Sequence, residues 1–184
     1  MKALFLDIDG VICLDRQWGS RFKNKDGLDS AFDRFDDKAV KILNEIISKT
    51  DCEIIISSDW RFDSKLETLQ ELFRIRNVLK VPFDYTTLNG LDPSLFKESD
   101  RQFQMELEQT RALEICDYLK SHPEIIQWVA IDDLDLRKYV DIKHWNGQTP
   151  IFRWWGIENF VWTPKFNEGI KQCGIKEKVL KFLL

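Results

Sequence analysis

Three short apolar segments, each running straight into carboxyl or hydroxyl residues, constrain this chain more than any other feature. Lys2-Ala-Leu-Phe-Leu-Asp-Ile-Asp9 meets Gly10 at once, Glu53-Ile-Ile-Ile-Ser-Ser58 is β-branched at its centre, and Gln127-Trp-Val-Ala-Ile-Asp-Asp133 closes on two acids. Continuous apolar runs of this length suit strands covered on both faces, as in a parallel sheet. Between them the apolar period changes to three and four residues. Val40, Leu43, Ile46 and Ile47 predict one helix starting near Asp36, and Leu66, Leu69, Leu72 and Phe73 predict a second. Leu107, Leu113, Cys116 and Leu119 mark a long amphipathic helix over about 103–120 that Pro123 ends. A further strand is expected over 158–162, and a terminal helix carries Val179, Leu180, Leu183 and Leu184. Residues 80–100, interrupted by Pro82, Gly90 and Pro93, read mostly as connection.

Strand and helix in alternation predict an α/β fold: a Rossmann-like three-layer sandwich, with a mostly parallel central sheet and helices on both faces. A length of 184 residues suits a single domain, 1–184, with the polar and aromatic stretch at about 14–35 as a loop or flap. With 43% hydrophobic and 32% charged residues, the chain is neither disordered nor a membrane protein, and its longest apolar runs are too short to span a bilayer. The first residues carry no signal-peptide pattern, so a cytoplasmic location is expected. Cys13, Cys52, Cys116 and Cys173 are scattered with no Cys-x-x-Cys pair, so neither a zinc knuckle nor a disulfide framework is indicated, and reduced, mostly buried thiols are expected. A net charge of −4 argues against bulk attraction to nucleic acid; Arg16, Arg21, Lys23 and Lys25 form the one local basic run.

Ligands of an open parallel sheet sit at the carboxyl ends of its strands. Those ends carry Asp7 and Asp9, Ser57 and Ser58, and Asp132 and Asp133. If the strands are neighbours, several carboxylates converge, and like charges so close raise one another's pKa unless a cation intervenes. Mg2+ suits such a site, since it takes oxygen ligands and completes its shell with water and phosphate oxygens.

Leu6-Asp7-Ile-Asp9-Gly-Val-Ile12 resembles the first motif of the haloacid dehalogenase (HAD) superfamily phosphatases, and Ile54-Ile-Ile-Ser57 and Ala130-Ile-Asp132-Asp133 resemble the second and fourth. More narrowly, Ser57-Ser-Asp-Trp60-Arg61, Arg111-x-x-Glu-Ile115 and Trp128-Val-Ala-Ile-Asp-Asp133 look like the small branch associated with RNA-repair multidomain proteins. The resemblance implies a HAD fold with a minimal cap and a phosphatase working through an aspartyl-phosphate. Asp7 would be the nucleophile and a metal ligand. Asp9 would donate and accept the proton, with its carbonyl reaching the metal, and Ser57 would contact a phosphoryl oxygen. Arg111 would supply the cation of the third motif, usually a lysine, with Lys97, Arg101 and Lys120 as rivals. Asp133 would be the first carboxylate ligand, with Asp132 aiding through a water or orienting a basic residue. Gly10, Ser58 and Arg61 would meet the substrate. Where relatives carry a further acid, Arg137 stands, and Asp135 is out of step.

Blander readings stand beside these. Ser57 could cap a helix, Arg61 could pair with Asp63, and Arg111 could make a solvated salt bridge with Glu108 or Glu114. His122 and His144 lack metal-ligand spacing and read as structural. Trp145, Trp154, Trp155 and Trp162 could stack bases or pack a C-terminal subcore, the latter being favoured. The expected partner is a phosphorylated substrate, with a nucleic-acid end as one candidate and no membrane. The alternatives are a nucleotide or small-molecule phosphatase and, in another class, a non-catalytic module whose acids hold a metal.

Overall fold

The expected strands lie side by side in the computed structural model, which describes residues 1–14, 35–87, 100–137 and 157–184, and within these not the side chains of 63, 100–106 and 109. In chain order the elements are β1 (Lys2–Leu6), α1 (Asp37–Thr50), β2 (Glu53–Ile56), α2 (Trp60–Asp63), α3 (Leu66–Ile75), β3 (Pro82–Tyr85), α4 (Asp100–Ser121), β4 (Gln127–Asp132), β5 (Phe160–Trp162), a 3-10 turn at Gly169–Lys171, and α5 (Ile175–Leu183). Among the described residues the sheet has five strands in the order β3-β2-β1-β4-β5, and every pairing is parallel. The chain runs outward from β1 on one side, then crosses to the other side of β1 for β4, so the topological switch point, where open parallel sheets bind ligands, falls at the carboxyl ends of β1 and β4.

Alternate strand residues face opposite layers. Leu4, Leu6, Ile54, Ile56, Val129 and Ile131 share one core with Leu43, Ile46 and Ile47 of α1, Leu69, Leu72 and Phe73 of α3, and Val179 and Leu183 of α5. Ala3, Phe5, Ile55 and Ala130 face the other layer, where they meet Ile115 and Tyr118 of α4. Phe5 packs edge-on to Tyr118 and to Trp128, with ring centroids 5.7 and 5.8 Å apart. Burying each large aliphatic side chain contributes about 1.5–3 kcal/mol, which makes two covered faces the stable arrangement. At the start of α1, Asp36 accepts a hydrogen bond from Ala39 N at 2.9 Å and an ion pair from Lys171 at 2.7 Å.

The structure refines two expectations. Residues 80–100 contain a strand, β3, whose pairing with β2 shifts register between Ile54 and Ile55; Pro82 stands at its first residue on a sheet edge, where a missing N–H costs no ladder bond. The long helix is present, but its inward stripe is only partly apolar. Glu108, Arg111, Ala112, Glu114, Ile115 and Tyr118 are buried, whereas Leu107, Leu113, Cys116 and Leu119 are only half-buried.

Residues 15–34, which hold Arg16, Arg21, Lys23 and Lys25 of the expected flap, lie outside the described residues, as do Lys97, the side chain of Arg101, His144, Trp145, Trp154 and Trp155. All four cysteines are free; Cys13 and Cys52 are buried, Cys116 half-buried and Cys173 exposed. Among the described residues no helix is long and apolar enough to cross a membrane.

Candidate active site

β1 delivers Asp7 to the switch point. Its backbone N–H donates to the Ile131 carbonyl at 3.1 Å, and Ser57 N–H donates to the Leu6 carbonyl at 2.9 Å, so the three strand ends are stitched level with one another. After Asp7 the chain leaves the sheet in a tight turn in which the N–H groups of Ile12 and Cys13 both bond the Ile8 carbonyl. Gly10 sits there with φ +70°, and a Cβ on it would lie 2.3 Å from Asp133 Oδ2. Conformation and contact both require glycine.

Asp7, Asp132 and Asp133 each bring a carboxylate oxygen within 4.8 Å of the others. Arg111 enters from α4. Its Nη1 lies 2.9 Å from Asp7 Oδ1 and 3.1 Å from Asp132 Oδ2, and its Nη2 lies 2.7 Å from Asp59 Oδ1. The guanidinium is buried, so the solvated pair with Glu108 or Glu114 is not formed. Asp132 has both oxygens engaged, since Oδ1 accepts the Leu134 N–H at 2.9 Å. Asp133 instead rests its carboxylate on the Gly10 turn, while its backbone carbonyl accepts from Trp162 Nε1 at 2.9 Å.

Three carboxylates thus pair with one guanidinium, and a fourth, Asp133, stands beside Asp7 and Asp132. Burial, together with the charge of Asp132, pushes Asp7 well above the usual carboxylate range. Asp132 is pushed up to about 7, by burial and by Asp133 against the pull of Arg111; Asp133 is pushed up to about 7, by burial and by Asp7. Burial disfavours the charge on Arg111, but Asp132, Asp7 and Asp59 outweigh it and raise its pKa. Negative charge is in excess and the donors are all oxygen, which fits a hard divalent cation such as Mg2+. Among the described residues, Asp7, Asp132 and Asp133 form a group that could hold it.

Asp9 stands apart from this trio. Asp9 is exposed, and its Oδ2 accepts a hydrogen bond from Trp60 Nε1 at 2.8 Å. Ser57 Oγ is buried without a hydrogen-bond partner, and the α2 N-cap is Asp59, so Ser57 does not cap that helix. Ser58 Oγ is likewise buried without a well-aligned partner, although it lies near enough to Asp7 to favour its charge. Buried hydroxyls without partners are costly unless a ligand completes them. Arg61 is buried too, donating to the Ser58 carbonyl at 2.9 Å and to Glu114 Oε1 at 2.6 Å. Burial lowers its pKa against the pull of Glu114.

The remaining candidates lie elsewhere. Arg137 pairs with Asp135 at 2.9 Å and covers the Trp162 ring at 5.1 Å. Lys120 makes an exposed pair with Asp117 along its own helix. His122 stacks on Tyr118 with ring centroids 3.9 Å apart and bonds its carbonyl, a structural role. Asp59, Trp60 and Glu114 are site residues that the sequence reading did not assign. Two signals were available: the segments Ser57–Arg61 and Arg111–Ile115 both carry the family resemblance, and Asp59-x-Arg61 and Arg111-x-x-Glu114 present complementary charge pairs.

A parallel α/β sheet whose β1 and β4 ends meet in a buried acidic cluster defines a HAD-type hydrolase. The family model for the HAD domain in Swiss Army Knife RNA repair proteins matches residues 3–153, and the chain belongs to that family. No curated protein and no solved structure matches the chain.

Proposed function

We propose that the protein is a Mg2+-dependent phosphomonoesterase that works through an aspartyl-phosphate on Asp7, and that its substrate is a phosphate at a nucleic-acid end. The observation that carries this reading is the convergence of Asp7, Asp132 and Asp133 within 4.8 Å beside the buried Arg111. A carboxylate oxygen of Asp7 attacks phosphorus and the ester P–O bond breaks, with Asp9 protonating the departing alkoxide. Asp9 then takes a proton from water, whose oxygen attacks the phosphoenzyme; the P–O bond to Asp7 breaks and inorganic phosphate leaves. Arg111 holds Asp7 in place and neutralises phosphoryl charge, Ser57 and Ser58 offer hydroxyl donors, and the turn at Gly10 lets the substrate approach the backbone. Arg61 adds positive charge from behind Ser58. Asp133 serves as carboxylate ligand with Asp7 and the Asp9 carbonyl, while Asp132 orients Arg111. When bound, Mg2+ supplies charge stabilisation for the transferring group. The nucleic-acid substrate rests on the family's association with RNA repair.

The test is hydrolysis of an aryl phosphate with and without Mg2+, by the native protein and by Asp7→Asn. Magnesium-dependent turnover that falls by about 10³-fold or more in Asp7→Asn, with no lower melting temperature, is expected. Negligible rates under every condition would favour a non-catalytic metal-holding module. Next, an end-phosphorylated oligonucleotide should turn over faster than the free mononucleotide; the reverse order would assign the enzyme to nucleotides.

A further inference from the structure

Asp59, Trp60 and Arg61 are consecutive, and each reaches a different part of the site. Asp59 Oδ1 accepts from Arg111 Nη2 at 2.7 Å, Trp60 Nε1 donates to Asp9 Oδ2 at 2.8 Å, and Arg61 Nη2 donates to Glu114 Oε1 at 2.6 Å. The other oxygen of Glu114 accepts from Thr86 Oγ1 at 3.2 Å, beyond the end of β3. The two ion pairs cross: the segment after β2 and helix α4 each offer one cation and one anion to the other. Side chains of Arg61 and Glu114 are only 4% and 3% exposed. A buried reciprocal pair contributes little net stability, because desolvation offsets attraction, but it holds one geometry and resists any other. The Trp60 indole is 4% exposed, is packed near Phe35, and has a donor-only N–H, so its bond to Asp9 Oδ2 favours one orientation of that carboxylate.

Resting on the phosphatase reading above, we propose that this tripeptide is a positioning segment: Trp60 aims the proton-transferring carboxylate of Asp9, Asp59 holds Arg111 against Asp7, and the Arg61–Glu114 pair pins the segment to α4. Trp60 and Asp59 act through other side chains and need not touch the substrate.

Proton donation to the leaving group matters for an alkoxide and hardly at all for a nitrophenolate, and this separates positioning from mere packing. Trp60→Phe keeps the ring and removes only the N–H. Its kcat/KM, which reports phosphoenzyme formation alone, should fall about tenfold on an alkyl phosphate and less than about threefold on p-nitrophenyl phosphate. Asp59→Asn, at a half-exposed site that tolerates substitution, should lower kcat about tenfold on both substrates alike, because Arg111 acts on the phosphoryl group. Equal losses on the two substrates for Trp60→Phe, or a native kcat for Asp59→Asn, would overturn the proposal. If the native protein hydrolyses neither phosphate, the phosphatase reading itself has failed, which is a separate result.

Discussion

On one face of the sheet, Leu4, Leu6, Ile54 and Ile56 meet α1, α3 and α5 through aliphatic and aromatic side chains; on the other, α4 covers Phe5 and Ile55 with Ile115 and Tyr118 but buries Arg111, Glu108 and Glu114 as well. The first face follows from hydrophobic burial, which is non-directional and tolerates any good fit. The second must meet directional demands. Each buried charge there needs a partner at a set distance, and Arg111 finds Asp7, Asp132 and Asp59 while Glu114 finds Arg61 and Thr86. One face therefore holds the fold, while the other accepts poorer burial in order to hold charges beside the strand ends.

Substitutions should separate the two faces. Arg111→Ala leaves three buried or half-buried carboxylates without their cation. It should lower stability by about 3–5 kcal/mol and kcat/KM by at least about a hundredfold, read by denaturant unfolding and aryl phosphate hydrolysis with Mg2+. Leu43→Ala, wholly on the apolar face, should cost about 3 kcal/mol while leaving kcat per folded molecule within twofold or so. A loss of activity comparable to that of Arg111→Ala would show that the faces are not independent.

Asp36→Ala removes the cap of α1 and the partner of Lys171, and should cost about 1 kcal/mol at neutral pH. Burial works to raise the Asp36 pKa, but Lys171 and the Ala39 N–H outweigh it and hold the carboxyl below its usual range. A depressed pKa contributes stability that is present above the unfolded value near 4 and is lost as pH falls through the folded one. The gap between native protein and variant should therefore narrow in acid. A gap that widens below about pH 4 would refute the ion pair.

The apolar face was the legible one. Strands β1, β2 and β4 and helices α1, α3 and α5 appear within a few residues of where period and composition put them, because each buries a continuous run or a plain three-four stripe. The α4 face was read less well for the same physical reason. Its buried stripe has helical spacing, yet charged residues occupy part of it, so a search for apolar residues selects Leu107 and Leu113 one position off. Strand β3 was hidden by Pro82, a breaker everywhere except where it stands. The acids at the strand ends were legible because they follow apolar runs directly. The partners that hold them were not: Trp60 and Asp9 are 51 residues apart, and Asp59 and Arg111 are 52 apart, separations at which local pattern carries no information.

The contact between Gly10 and Asp133 has one more consequence. One side of the acidic cluster is laid directly on the turn that follows the other, across more than a hundred residues of chain, with β2, β3 and α4 all intervening. Until β4 docks beside β1, Asp7 is an ordinary carboxylate on a strand end; afterwards it is crowded by two others. The electrostatic burden and the capacity to bind a cation therefore share one origin, the docking of β4 beside β1.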